Sequence, residues 1–211
     1  MKSSRLSIDW RDPLPRPRLE AVTTLLPRSF YARPAADVAR DLLGKVLVHG
    51  PTAGIIVEVE AYLGLDDKAA HASRGITGRT RVLFGPPGHA YVYFIYGMYE
   101  CLNLVAEPEG TPGCVLIRAL EPLSGIAIMR RRRPKARRPE ELASGPGKLT
   151  LAMGITRALY GADLTRGPLT VRAFRTEPEF QVNTTPRIGI RRCADWPLRF
   201  LIAGNSCVSR P

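Results

Sequence analysis

Apolar positions in this chain recur mostly with period two, in short runs bounded by glycine and proline, and only briefly with the spacing of a helix face. After residues 1–25, which are rich in Arg and Pro and lack apolar periodicity, the first periodic segment is Pro34–Gly44. Val38, Leu42 and Leu43 share one face, proline suits the first turn and Gly44 the exit, so a short helix is predicted. Lys45–His49 and Gly54–Tyr62 read as strands. Gly85-Pro-Pro-Gly88 is a turn, and Ala90–Tyr96 with Tyr99–Ala106 form a hairpin across the two-residue turn Gly97-Met98. Cys114–Leu120 is a further strand, Pro122–Arg133 a helix stopped by Pro134, and Pro146–Met153 a short helix closed by Gly154. Leu169–Arg175, Ile188–Arg192 and Phe200–Ala203 complete the strands. With no repeat and no regular β-α-β alternation, the class is α+β: one domain with a mostly antiparallel sheet, flanking short helices and a protruding hairpin. The domain is expected over 26–211, and residues 1–25 as an extended, largely disordered tail.

At 211 residues and 45% hydrophobic, the chain can build one sizeable core. No apolar run approaches the roughly 18–20 residues of a membrane span. Asp9, Arg11 and Asp12 stand where a signal peptide needs its apolar stretch, so a cytoplasmic protein (nucleoid-associated if bacterial) with no membrane partner is expected. Cys101, Cys114, Cys193 and Cys207 form no C-x-x-C pair, which suits reduced thiols rather than a zinc knuckle or redox motif. The net charge is +12, and 26 of the 31 cationic side chains are arginine. A GC-rich genome produces such a bias without function. A polyanionic partner gives it a use, because guanidinium forks pair with phosphates. Seven of the positive charges lie in Arg130–Arg138, which also reads as a solvated helix end running into a loop.

Several familiar motifs are absent. Gly145-Pro-Gly-Lys148 is not a phosphate loop, because Leu142 occupies the earlier glycine position and Leu149 follows the lysine. His49, His71 and His89 have no metal-ligand spacing, so no metal site is expected. Strand 54–62 says more. Alternation puts Ile55, Val57, Val59 and Ala61 on one face and Ile56, Glu58, Glu60 and Tyr62 on the other. Read alone, this favours an ordinary half-exposed strand with its carboxylates in water. In the active reading Glu60 faces a pocket walled by Tyr62 and serves as a general base. The run Tyr91-Val-Tyr-Phe-Ile-Tyr-Gly-Met-Tyr99 holds four of the seven tyrosines. Core packing explains an isolated tyrosine, but aromatics on one strand face beside a projecting one, on a basic protein, suit the handling of nucleobases.

Glu58-Val-Glu-Ala-Tyr62, His71, Phe84-Gly-Pro-Pro-Gly-His-Ala-Tyr-Val-Tyr-Phe-Ile-Tyr-Gly-Met98 and Cys101-Leu-Asn103 resemble, in order, the 3-methyladenine (alkyladenine) DNA glycosylase family. Cys114-Val-Leu-Ile-Arg-Ala-Leu-Glu-Pro122, Ser144-Gly-Pro-Gly-Lys-Leu149 and Pro197-Leu-Arg-Phe200 continue the resemblance, which runs from about Leu26 to about Ser209. It implies a curved sheet like that of formyltransferase C-terminal domains, and a monofunctional enzyme of base excision repair that flips damaged purines from duplex DNA. No cofactor is implied, the partner is double-stranded DNA containing damaged purines, and a monomer is expected. Glu60 is implied to activate the hydrolytic water, which Arg118 and the main-chain carbonyl of Ile190 help to hold. Tyr62, with His71 and Tyr93 opposite, would sandwich the flipped base, and Asn103 would crowd the 2-amino group of guanine. Tyr96 would fill the gap in the duplex, Met98 and Tyr99 would lie near the opposite strand, and Arg79 would meet a phosphate. The chain departs from the family at Thr77-Gly-Arg-Thr80, where Thr-Pro-Arg-Asn is usual. A non-catalytic module that recognises nucleic acid is the alternative on the same fold.

Overall fold

The computed structural model describes residues 22–95, 97–176 and 178–210. Residues 1–21 of the expected 1–25 tail, and the expected gap-filling Tyr96, lie outside the described residues. Among the described residues nine strands make one sheet in which every pairing is antiparallel. In chain order they are β1 (Val22–Leu25), β2 (Val46–His49), β3 (Thr52–Tyr62), β4 (Ala90–Ile95), β5 (Tyr99–Ala106), β6 (Gly113–Ser124), β7 (Leu169–Phe174), β8 (Val182–Thr185) and β9 (Arg199–Ile202). Their order across the sheet is β1-β7-β2-β3-β6-β5-β4, with β8 on β9 and β9 on β3. Four helices flank it: α1 (Arg28–Tyr31), α2 (Ala35–Leu42), α3 (Ile126–Arg132) and α4 (Pro146–Met153). The α+β, mostly antiparallel expectation holds.

Strand β3 organises the rest. Thr52–Ile55 pair with β2, Glu58–Glu60 pair with β9, and its other edge runs along β6. With strands on both edges and packing on both faces, residues 52–61 are all buried. The half-exposed strand with carboxylates in water is therefore corrected: Glu58 and Glu60 have no solvent exposure. The β3–β6 register shifts twice near the middle. Pairing moves from Ile56↔Leu120 to Glu58↔Ala119 and then to Val59↔Ile117, which leaves Val57 and Arg118 as extra residues. Such bulges bend a strand and re-aim its side chains. Ile55, Ile56 and Val57 accordingly all belong to the main core, and strict alternation holds only from Glu58 onward.

Beyond the bulge the sheet has two distinct faces. Val59, Ala61, Ala90, Val92, Leu102, Leu104, Val115 and Ile117 point into the main core, where α2 and α4 pack. The residues between them point the other way, where Tyr91, Val105 and Cys114 gather with Ala72 and Leu83 in a smaller cluster beneath the loops after β3. This second face carries the site.

Several boundaries differ from the expectations. Val22–Leu25 pairs with β7, so the domain begins before Leu26. The predicted helix at Pro122–Arg133 begins only at Ile126; β6 runs on to Ser124, and the turn comes at Gly125. Proline without an N–H is tolerated at Pro122 because the register shifts there, between Ala53↔Ser124 and Gly54↔Pro122. Ile188–Arg192 is a loop rather than a strand, since Gly189 takes a left-handed φ of 78° and the Ile188 N–H is used elsewhere. The described pairing of the hairpin runs to Ile95↔Tyr99, and Gly97 takes a left-handed φ of 68° in its turn. Strand β8 went unpredicted because Val182–Thr185 is short and largely exposed, with little apolar pattern.

Candidate active site

A cavity of about 590 Å³ opens on the second face of the sheet, within the usual range for small-molecule sites. Strands β4, β5 and β6 supply one side, the segment after β3 another, and the loop Ile188–Ile190 with the first turn of α4 close it. Tyr62, His71, Tyr93, Asn103, Arg118 and Ile190, six residues expected from six separate stretches of sequence, all line it. Tyr99 lines it too, from the hairpin, and Met98 is exposed at the tip.

Glu60 is not part of the cavity wall. It lies directly behind, bonded to three groups that are. Its Oε1 accepts from the Ile188 N–H at 2.7 Å and lies 3.2 Å from the Arg118 guanidinium; its Oε2 accepts from the Tyr62 hydroxyl at 2.9 Å. The loop expected to contribute through Ile190 thus reaches the carboxylate through Ile188, two residues earlier.

Arg118, the extra residue of the β6 bulge, joins Glu60 to a second carboxylate. Its Nε donates to Glu58 at 2.8 Å, and a terminal nitrogen reaches Ser209 Oγ at 3.1 Å. Glu58 also accepts from Arg199 Nε at 2.8 Å and from the Ser209 amide and hydroxyl. Burial alone pushes the Glu58 carboxyl upward, but the Ser209 amide and hydroxyl and the Arg118 guanidinium together hold it below the ordinary carboxylate value. Sequence reasoning did not single out Glu58, although two carboxylates spaced i, i+2 on one strand face of an arginine-rich chain were the available signal.

The opposite wall is aromatic. His71 meets Tyr93 edge-on at 4.6 Å between ring centroids, and its Nδ1 lies 2.9 Å from the Tyr91 hydroxyl. Burial, aided by Arg79 and Arg74, lowers the imidazole pKa to about 4, so His71 is neutral at pH 7. The Tyr91 hydroxyl already accepts from Arg79 Nε, and if its own proton goes to Nδ1 the ring proton sits on Nε2. Asn103 is fixed in turn, its amide donating to the Tyr91 carbonyl at 3.3 Å. Two buried thiols, Cys101 and Cys114, also line the cavity, and burial raises them to about 11 and 12.

Arg79, expected at a phosphate, is exposed but lies over the Tyr93 ring at 4.8 Å and donates to the Tyr91 hydroxyl at 3.2 Å, which braces the wall from outside. The basic run is partly occupied as well. Arg132 donates to the Ala152 carbonyl at 3.0 Å and Arg133 to the Glu141 carbonyl, while Arg130 and Arg131 remain exposed. Among the described residues no three His, Cys, Asp or Glu side chains converge as a metal site, and no helix is long and apolar enough to cross a membrane.

The sequence profile described as methylpurine-DNA glycosylase matches residues 29–206. A protein of Methanocella arvoryzae is 54% identical over 194 residues, covering 88% of this chain and 96% of its own. One from Rhodopseudomonas palustris is 49% identical over 191 residues, covering 90% and 91%. One from Burkholderia lata is 48% identical over 203 residues, covering 95% and 96%. Each of the three is named as a candidate 3-methyladenine DNA glycosylase.

Proposed function

Because the chain belongs to the methylpurine-DNA glycosylase family, whose members are DNA-repair hydrolases, we propose that it flips damaged purines out of duplex DNA and hydrolyses their N-glycosidic bond with a water activated by Glu60. The substrate class is 3-methyladenine, 7-methylguanine, hypoxanthine and ethenoadenine. The observation that carries this reading is the setting of Glu60, a fully buried carboxylate held by two hydrogen bonds and the Arg118 ion pair just behind an aromatic-walled cavity.

A carboxylate offers about four acceptor positions. Ile188 and Tyr62 take two and the Arg118 guanidinium balances the charge, which leaves acceptor capacity for the proton of the attacking water. Cleavage of the purine N9–C1′ bond gives the sugar oxocarbenium character, which a nearby carboxylate stabilises while it deprotonates the attacking water. The electron pair of the broken bond leaves with the base. 3-Methyladenine and 7-methylguanine already carry positive charge and leave as neutral bases, whereas neutral hypoxanthine and ethenoadenine leave after the base takes up a proton from solvent.

Tyr62 stacks on one side of the base, and His71 with Tyr93 closes the other. A neutral His71 admits a cationic purine without repulsion. Asn103, pinned by the β4 backbone, crowds the 2-amino group of guanine and so protects the undamaged base. Flipping costs a few kcal/mol and least for a damaged pair, which adds selectivity before chemistry.

The test is single-turnover base release from duplexes bearing each lesion, read as strand breakage after alkali. Release from lesion duplexes and not from matched guanine or adenine is expected. Binding without release would assign a recognition module, and breakage without alkali would assign a lyase.

A further inference from the structure

Both hydrogen bonds to the Glu60 carboxylate come from groups beside one arginine: the Tyr62 ring lies under its guanidinium, and Ile188 follows it in the chain. Arg187 is wholly buried and forms a bidentate pair with the equally buried Asp67. The same guanidinium donates to the Ala61 carbonyl at 3.0 Å and to the Cys193 carbonyl at 3.4 Å, and its central carbon lies 4.6 Å from the centroid of the Tyr62 ring. Tyr62 is the donor to Glu60 Oε2; Ile188, the residue after Arg187, is the donor to Oε1. Asp67 in turn accepts from the Leu63 and Ala69 amides, in the segment that leads to His71.

We infer that Arg187, held by Asp67, is a positioning residue for base release: it fixes the Tyr62 ring and the Ile188 amide, and through them the two oxygens of Glu60. The inference rests on the proposed role of Glu60. A buried ion pair is poor evidence of a need for stability, since apolar side chains of similar volume often serve as well. Arg187 even keeps its Nε–H buried without a hydrogen-bond partner. What an apolar replacement cannot do is grip the Ala61 carbonyl, the Cys193 carbonyl and the Tyr62 ring face at once. Displacements of about 1 Å at reacting groups can cost on the order of 10²-fold in rate.

The experiment compares wild type with Asp67→Asn/Arg187→Met, which removes both charges, and with Arg187→Lys, which keeps the charge but loses the fork. For each, single-turnover release from a hypoxanthine duplex is measured against enzyme concentration, alongside the melting temperature. The saturating rate is expected to fall about 10- to 100-fold in both variants, while the half-saturating concentration moves less than about threefold and the proteins stay folded. Should the double variant not fold, the lysine variant decides alone. A saturating rate within about threefold of wild type in a folded variant overturns the proposal, as does a loss confined to the half-saturating concentration. Wild type that releases no base from any lesion duplex refutes the proposed function instead, so the two failures are distinct.

Discussion

The Tyr62 hydroxyl donates to Oε2 of Glu60 at 2.9 Å, so the ring that walls the cavity and the carboxylate behind it form one unit. Tyr62→Phe separates their contributions. The stacking surface remains, and Glu60 loses one charge-assisted hydrogen bond, worth about 1.5–3 kcal/mol. Lesion affinity should stay within a few fold while the saturating rate drops about tenfold or more. A saturating rate unchanged in Tyr62→Phe would show that Tyr62 acts only as a stacking surface.

Glu58 should matter to folding more than to base binding. It is fully buried and neutralises Arg118 and Arg199, so Glu58→Gln leaves two buried guanidinium groups short of a counter-charge. Breaking such a network costs about 3–5 kcal/mol. For a chain of this size that lowers the melting temperature by roughly 6–20 °C. The pH dependence follows from its lowered pKa. As pH falls the unfolded chain takes up this proton first, so the stability Glu58 supplies is complete above the ordinary carboxylate value and is lost as pH drops through the lower folded one. Melting curves of Glu58→Gln should therefore be flatter with pH in the acid range. An unchanged melting temperature at pH 7 would contradict the network.

His71 makes a second acid-side prediction. Its folded pKa of about 4 lies below the ordinary 6.5, so between those values the unfolded chain holds a proton that the folded protein lacks. Stability from this group is complete above about pH 6.5 and declines as pH falls toward 4. The His71 imidazole resonances should titrate near 4, and Arg79→Gln should raise that midpoint by removing one of the nearby charges. A midpoint between 6 and 7 in the wild type would contradict the burial of the imidazole against Arg79 and Arg74 as the cause of its lowered pKa.

Lys148 is exposed in the first turn of α4 at the edge of the cavity, so under the proposed function it is a candidate contact to a DNA phosphate. Lys148→Gln should weaken binding to all duplexes alike and lessen the slope of log affinity against log salt by about 0.9, with the saturating rate unchanged. An unaltered salt slope would remove Lys148 from the DNA contact.

The parts of this site that were legible in sequence are those written as local patterns. Glu60 and Tyr62 fall on one face because alternation survives from Glu58 to Tyr62, and Tyr91 and Tyr93 share a strand face for the same reason. The α4 boundaries were marked by Pro146 and Gly154, which punctuate a helix wherever they occur. What escaped depends on long-range registration. Nothing local says that β9 will cover Glu58–Glu60, and so alternation alone favoured carboxylates in water. The Arg187–Asp67 pair joins residues 120 apart. Ile188 was read as strand because its apolar character was visible, while the use of its N–H by Glu60 was not.

The central claim is that the Glu60 carboxylate drives hydrolysis of the bond to a bound, damaged purine. Single-turnover base release from a hypoxanthine duplex at saturating enzyme, comparing wild type with Glu60→Gln, tests it most directly. Lesion binding should persist in the variant, because Glu60 stands behind the cavity wall, and the rate should fall by at least about 10²-fold, the scale of a positioned acid–base group. A folded Glu60→Gln protein that binds the lesion and releases the base at a near-normal rate would contradict the account.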